Sequence, residues 1–165
     1  MPYTIREATA PDISRLVEII KTSFHQVAVR FGLSEENCPK HPSNCRATWI
    51  ADALDNGIRY FILDSEGLGC GCVAMEQASP DACYLERLAV LPSERRQGFG
   101  KALVDHVLET AKELGARRVD IGIIADHTEL RDWYGKIGFV EQKTVDFPHL
   151  PFRVLLMSVS LDATA

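Results

Sequence analysis

The sequence predicts one α/β domain, a mixed and twisted sheet of six or seven strands with helices on both faces. Three observations lead there. The chain has 165 residues, the size of a single domain. Runs with apolar residues at helical spacing are interleaved with shorter, β-branched or alternating apolar runs. Glycine and proline signals separate them, giving the order β-α-α-β-β-β-α-β-α-β-β with no repeat, low-complexity tract or linker.

Taken in order, Tyr3 to Ala8 reads as a first strand. Thr9-Ala10-Pro11-Asp12 is a helix start with Thr9 as N-cap and Asp12 reaching back to it. Ile13, Leu16, Val17, Ile20, Phe24, Val27, Ala28 and Phe31 then recur at helical spacing, and Gly32 closes one long amphipathic helix. Two prolines, Pro39 and Pro42, forbid a continuous helix through Ser34 to Asn44. A second helix is expected from about Asn44 to Asn56, stopped by Gly57. Arg59 to Asp64 and Leu68 to Gln77 read as a hairpin around Ser65-Glu66-Gly67, and Ala82 to Val90 as the next strand, ended by Leu91-Pro92.

Leu103, Val104, Val107, Leu108, Ala111 and Leu114 mark a central helix, Gly100 to Leu114, stopped by Gly115. Val119, Ile121 and Ile123 alternate as a strand. Asp126 and Glu129 frame another helix, lined by Leu130, Trp133, Tyr134 and Ile137 and ended by Gly138. Phe139 to Val145 and Phe152 to Val159 are the last two strands. The core is expected over residues 2–160, with a loose tail from Leu161 to Ala165.

The totals narrow the function. A net charge of −5 argues against non-specific binding of nucleic acid. No apolar stretch has the length of a membrane span, and Met1 to Glu7 lacks a secretory apolar core, so a cytoplasmic location is the expectation. The five cysteines, Cys38, Cys45, Cys70, Cys72 and Cys83, are an odd number and read as reduced thiols rather than a disulfide framework.

The stretch Arg95-Arg96-Gln97-Gly98-Phe99-Gly100-Lys101 carries the clearest chemistry. A strand, a glycine-bearing turn and a helix bring free backbone amides and the positive end of a helix dipole to one point, which suits phosphate. Two arginines add charge and forked donors. The dinucleotide fingerprint fails because Leu103 stands at its third glycine, and the P-loop fails because Ala102 follows Lys101. The R-x-x-G-x-G pattern that is left resembles the acetyl-CoA pyrophosphate loop of the GNAT superfamily of N-acetyltransferases. The element order resembles that family over nearly the whole chain.

The resemblance implies a fold, a donor and roles. Acetyl-CoA would be the acyl donor, with Arg95, Arg96, Gln97, Gly98, Phe99, Gly100 and Lys101 around its diphosphate. Leu88, Ala89 and Val90 would pair their main chain with the pantetheine arm, and the Val90 N–H would face the thioester carbonyl. Tyr134-Gly135-Lys136-Ile137-Gly138-Phe139 meets the family's Y-x-x-x-G-F pattern, which makes Tyr134 the acid that protonates the departing thiolate; a phenol, with a pKa of about 10, holds its proton at neutral pH. Its ordinary alternative is helix core. Where many relatives carry Asn, seven residues before that tyrosine, this chain has His127, which can also hydrogen-bond the cofactor.

Glu86 interrupts an apolar strand and needs a partner or a cavity. Strand parity places it on one face with Leu88 and Val90. It is the candidate base that draws a proton from the acceptor amine, the alternative being a salt bridge with Arg87 or a solvated edge. His25, His41 and His149 are the candidate acceptor-pocket residues, since the resemblance puts the segments Cys38 to Cys45 and Phe147 to Phe152 beside that pocket. Cys38-x-x-His41-x-x-x-Cys45 has zinc-like residues but only three local ligands and no C-x-x-C pair, so no metal is expected.

The resulting expectation is acetyl transfer to a primary amine by direct attack in a ternary complex. The acceptor would be a small molecule or peptide, with no nucleic acid or membrane partner; a homodimer is compatible with this reading. The alternative from another class is a non-catalytic acyl-CoA sensor or partner-binding module on the same fold.

Overall fold

A computed structural model describes residues 2–162. Seven strands form one mixed sheet in the order β1-β2-β3-β4-β5-β7-β6. They are β1 (Tyr3–Glu7), β2 (Arg59–Ser65), β3 (Leu68–Gln77), β4 (Ala82–Val90), β5 (Arg118–Ile124), β6 (Val140–Asp146) and β7 (Arg153–Ser160). The helices are α1 (Ile13–Phe31), α2 (Ala47–Asp55), α3 (Phe99–Glu113) and α4 (Thr128–Ile137). Every neighbouring pair is antiparallel except β4 and β5.

The sheet divides the core in two. On one face Leu16, Ile19 and Ile20 of α1 and Ile50 of α2 pack on Tyr60, Ile62, Cys72 and Ala74. On the other, Leu103, Val104, Val107 and Ala111 of α3 and Tyr134 of α4 pack on Phe61, Leu63, Val73, Met75 and Ile121. Adjacent strand residues thus go to opposite faces, as the pleat requires.

Two irregularities of β4 position the site. The first is that β4 and β5 pair only from Ala82↔Arg118 to Tyr84↔Asp120. Beyond Tyr84 the two parallel strands part and leave a gap in the middle of the sheet. The second is a β-bulge. Ala74 of β3 pairs with Glu86, but Cys72, two residues on, pairs with Ala89, three residues on. The extra residue is taken up at Arg87, which sits in the left-handed region at φ 50°.

This bulge overturns the expected parity of Glu86. Directly paired residues share a face, and Ala74 belongs to the α1/α2 side. Glu86 therefore faces α1 and α2, whereas Leu88 and Val90 pack with the α3 side. One inserted residue reverses the alternation, so the three do not share a face.

Several boundaries differ from expectation. Thr9 heads a single 3-10 turn, Ala10–Asp12, that runs into α1, and the Asp12 carboxylate accepts from the Thr9 N–H at 2.9 Å. The second helix does not start at Asn44. Pro42–Asn44 forms its own 3-10 turn, Cys45 is extended, and α2 begins at Ala47. The tail is not loose at its start: the Leu161 N–H donates to the Arg117 carbonyl at 2.7 Å, and its side chain packs on the core. Residues 163–165 of that expected tail lie outside the described residues.

Candidate functional site

A cavity of about 540 Å³ opens between α1, the end of β4, the start of α3 and α4. Its floor is Leu88, Ala89 and Val90, at the gap between β4 and β5. The Leu91 N–H donates to the Cys70 carbonyl of β3 at 2.9 Å. Amides alternate along a strand, so those of Leu88 and Val90 point away from β3, toward the gap.

One end of the cavity is the strand-to-helix corner, Arg95, Arg96, Gly98, Phe99, Gly100 and Lys101. Gly98 is the N-cap of α3 at φ 82°, in the region open to glycine. The first bond of the helix runs from the Ala102 N–H to the Gly98 carbonyl at 3.0 Å. The preceding amides of Phe99, Gly100 and Lys101 are thus without helical partners. Gly100 is constrained by space, since a Cβ there would stand 3.3 Å from the Trp133 ring.

The two arginines do different work. Arg95 donates to the Val90 carbonyl at 3.1 Å, the Ser23 carbonyl at 3.1 Å and Gln26 Oε1 at 3.3 Å. It straps the corner to β4 and α1. Arg96, in the left-handed region at φ 67°, has no hydrogen-bond or ion-pair partner among the described residues. Lys101 is paired with Asp105 at 2.8 Å, and Gln97 donates to Glu94 at 3.0 Å instead of lining the cavity.

The opposite wall joins α1 to α4. Arg30 forms a forked pair with Glu129 at 2.6 and 3.0 Å, and the Phe31 and His127 rings lie 5.7 Å apart. The pair draws the Glu129 carboxyl well below its usual range, to about 2. Burial, reinforced by the Arg30 charge, lowers the pKa of His127, so the imidazole facing the cavity is neutral at neutral pH. Ser23, 5% exposed, lines the cavity, and its Oγ is buried without a hydrogen-bond partner among the described residues.

Tyr134 and Glu86 do not line this cavity. Tyr134 is 4% exposed and packs edge-on against Trp133 at 5.0 Å and Phe139 at 5.2 Å. Burial alone pushes its pKa up, so the phenol keeps its proton. Glu86 is half-buried; burial, then the charge of Glu76, raises its pKa, and Arg87 opposes the shift.

The three histidines stand apart from the cavity wall. His25 and His149 are exposed, on α1 and in the β6–β7 loop. His41 is buried behind Phe24, with the rings 5.8 Å apart; Phe24 lines the cavity and His41 does not. His41 Nδ1 accepts from the Ser43 N–H at 3.2 Å and lies 2.7 Å from Ser43 Oγ. Burial holds its pKa down at about 4.

Cys38 and Cys45 are buried thiols whose pKa values burial raises. Among the described residues no group of three or more His, Cys, Asp or Glu side chains is arranged to hold a metal ion. Cys83 is fully buried in the α3-side core.

The α1 wall was not read from the sequence. Ser23, Gln26 and Arg30 follow helical spacing on one stripe beside the apolar one, and that polar stripe was the available signal. From the sequence Trp133 and Leu130 are helix core, yet both line the cavity.

The sequence profile of the acetyltransferase (GNAT) family matches residues 16–139. An amino-acid acetyltransferase of Neisseria meningitidis is 26% identical over 147 residues, which cover 88% of this chain but 29% of that protein. The chain thus spans less than a third of this curated relative. The fold is similar to that of PaiA N-acetyltransferase from Thermoplasma acidophilum, solved with coenzyme A, at a TM-score of 0.78 and 18% identity, covering 97% of this chain and 99% of that one. It is also similar to YncA, a putative acetyltransferase of Salmonella typhimurium solved with acetyl-CoA, at a TM-score of 0.73 and 18% identity, covering 100% and 97%. With a family profile matching well over half of its length, the chain belongs to the GNAT family of acetyltransferases.

Proposed function

We propose that the protein transfers the acetyl group of acetyl-CoA to a primary amine of a small molecule or peptide. The observation that carries this reading is the strand-to-helix corner. Unpartnered amides from Phe99 to Lys101 and the free Arg96 guanidinium meet at one end of a cavity whose floor is the gap between β4 and β5. The residues fit an elongated thioester carrier: a cationic corner for the diphosphate, outward amides of Leu88 and Val90 for the arm, and the orphaned Ser23 Oγ as a further hydrogen-bonding group.

When bound, acetyl-CoA supplies an activated acetyl thioester. The chain's own residues manage protons. Glu86 takes one from the acceptor ammonium, which must be neutral to attack. The buried Tyr134 holds its proton until the C–S bond breaks and then gives it to the leaving sulfur, and the second proton lost by the former amine nitrogen restores the phenol. The Val90 N–H steadies charge on the thioester oxygen. Five unpaired, buried thiols suit a reducing compartment and a cytoplasmic location.

The seating of Tyr134 behind Trp133 favours a second reading, an acyl-CoA binder without catalysis. One experiment separates the two. The protein is incubated with acetyl-CoA and a panel of primary amines, and products are read by mass alongside free CoA thiol. An acetylated amine with matching CoA release supports transfer. Retained acetyl-CoA with no product from any amine would overturn it.

A further inference from the structure

The bulge that reverses the parity of Glu86 also sets Glu86 and Arg87 side by side. In a regular strand consecutive side chains point to opposite faces. Here Glu86 faces α1 and α2 through its pairing with Ala74, and Arg87 faces the same way. Arg87 Nη1 donates to the Tyr60 hydroxyl at 3.1 Å, and its guanidinium lies 5.6 Å from the Trp49 ring centroid. Both contacts belong to the α1/α2 side of the core. A carboxylate and a guanidinium thus stand together where an unbroken pleat would separate them.

Arg87 is charged, half-buried and under-used. Tyr60 is its one hydrogen-bond partner among the described residues, and no carboxylate there forms an ion pair with it. A second cation, Lys40, lies 5.1 Å from the same Trp49 ring, also without an acidic partner among the described residues. Lys21 and Arg87 both bear on the nearby Cys45 thiol. In a chain of net charge −5, this is a local concentration of cations around one indole. A guanidinium taken half out of water loses hydration, and an anion on its free fork restores those bonds. Ala89, two residues along the strand from Arg87 and on the same side, lines the cavity, so the cationic site adjoins the proposed transfer site.

We infer that Arg87, with Lys40 against the same Trp49 ring, forms a carboxylate-binding subsite, so that the acceptor is an amine that also bears a carboxylate, of the α-amino acid type. This rests on the acetyl-transfer reading and narrows it. The acceptor's ammonium lies at Glu86 and its carboxylate on the Arg87 fork, two opposite charges matched by two adjacent ones. The strained φ at Arg87 is what holds that side chain beside Glu86.

The test uses the full chain and matched probes: glycine, leucine and glutamate against their α-amides. Binding is read by calorimetry and by Trp49 fluorescence in a Trp133→Phe background, and transfer by CoA release. The free acids are expected to bind saturably with a Trp49 signal and to exceed the amides in kcat/KM by about tenfold or more. Arg87→Met is expected to erase that preference through KM and leave acetyl-CoA affinity unchanged. Because Arg87 also lowers the Glu86 pKa, acids and amides are compared at a pH above the Glu86 limb, where the loss of that charge does not alter the ionised fraction of the base. Arg87→Lys, which keeps charge but loses the fork, should recover part of it.

Equal binding of acids and amides, no binding of either, or a preference that survives in Arg87→Met would overturn the subsite. Failure of the transfer reading looks different: the acids bind at Trp49, yet no acetylated product forms.

Discussion

Arg95 Nη2 donates to the Ser23 carbonyl at 3.1 Å, tying the corner after β4 to the middle of α1. The same guanidinium reaches the Val90 carbonyl, so one side chain joins three elements around the cavity. Arg96, next in sequence, is free of such duties among the described residues.

Substituting the two arginines should therefore have separable effects. Arg95→Met is expected to lower stability by about 1–2 kcal/mol, the scale of lost hydrogen bonds from a charged donor, and to weaken acetyl-CoA binding as the corner loosens. Arg96→Met should leave stability within about 0.5 kcal/mol while weakening binding and reducing its salt dependence. Scanning and titration calorimetry on both variants check the pair. Equal stability losses would show that Arg95 is no strap.

Tyr134→Phe keeps the ring contacts with Trp133 and Phe139 and removes only the hydroxyl. Turnover is expected to fall by about 10²–10³-fold, the contribution of a general acid, with acetyl-CoA affinity and thermal stability unchanged. Steady-state kinetics with a good acceptor decide it. Unaltered kcat would remove Tyr134 from the reaction.

Glu86 predicts a pH dependence with a definite sign. Burial, then Glu76, raises its pKa. A base must be ionised, so kcat/KM should climb with pH through a limb whose midpoint lies above the ordinary carboxylate range. Glu76→Gln removes a repelling charge and should shift that limb toward lower pH. Glu86→Gln should abolish it. A pH–rate profile in which none of these changes appears would exclude Glu86 as the base.

His41 gives a stability signature independent of catalysis. Burial lowers its folded pKa from 6.5 to about 4. Above the unfolded value both states are neutral and nothing is lost. As the pH falls below 6.5 the unfolded chain takes up a proton that the folded protein refuses, and stability declines until about pH 4. At about 1.4 kcal/mol per pH unit the interval from 6.5 to about 4 sums to about 3.5 kcal/mol, which solvent screening of the ring reduces to about 2–3 kcal/mol. His41→Asn should flatten this acid limb in denaturant titrations from pH 7 to pH 4.

Much of this protein was legible in its sequence because its elements carry strong local signals. The stripe from Leu16 to Phe31, the runs of β3 and β4, and the glycines closing α1 and α3 announce themselves without tertiary information. The glycine turn before α3 was legible too, since glycine at position 98 answers a left-handed backbone that few residues tolerate. The bulge was not. It sits at Arg87, a residue with no preference for φ 50°, and is imposed by pairing with β3. From it followed the mistaken parity of Glu86.

The gap between β4 and β5 is likewise a missing pairing, which no run of residues encodes. Histidine identity drew attention to His25, His41 and His149, but solvent exposure and the stacking of Phe24 over His41 are set by neighbours far along the chain.

Every role proposed for this chain rests on the grip of the corner at Gly98 on a thioester carrier's diphosphate. Titration of acetyl-CoA by calorimetry, into the unmodified chain and into Gly98→Val, tests it directly. A Cβ at Gly98 would meet nothing within 4 Å, so the variant folds, with a penalty of about 1–2 kcal/mol for a left-handed backbone. Saturable one-to-one binding to the unmodified chain, weakened at least about tenfold in Gly98→Val, is the expected result. No heat with the unmodified chain, or equal affinity in the two, would contradict it.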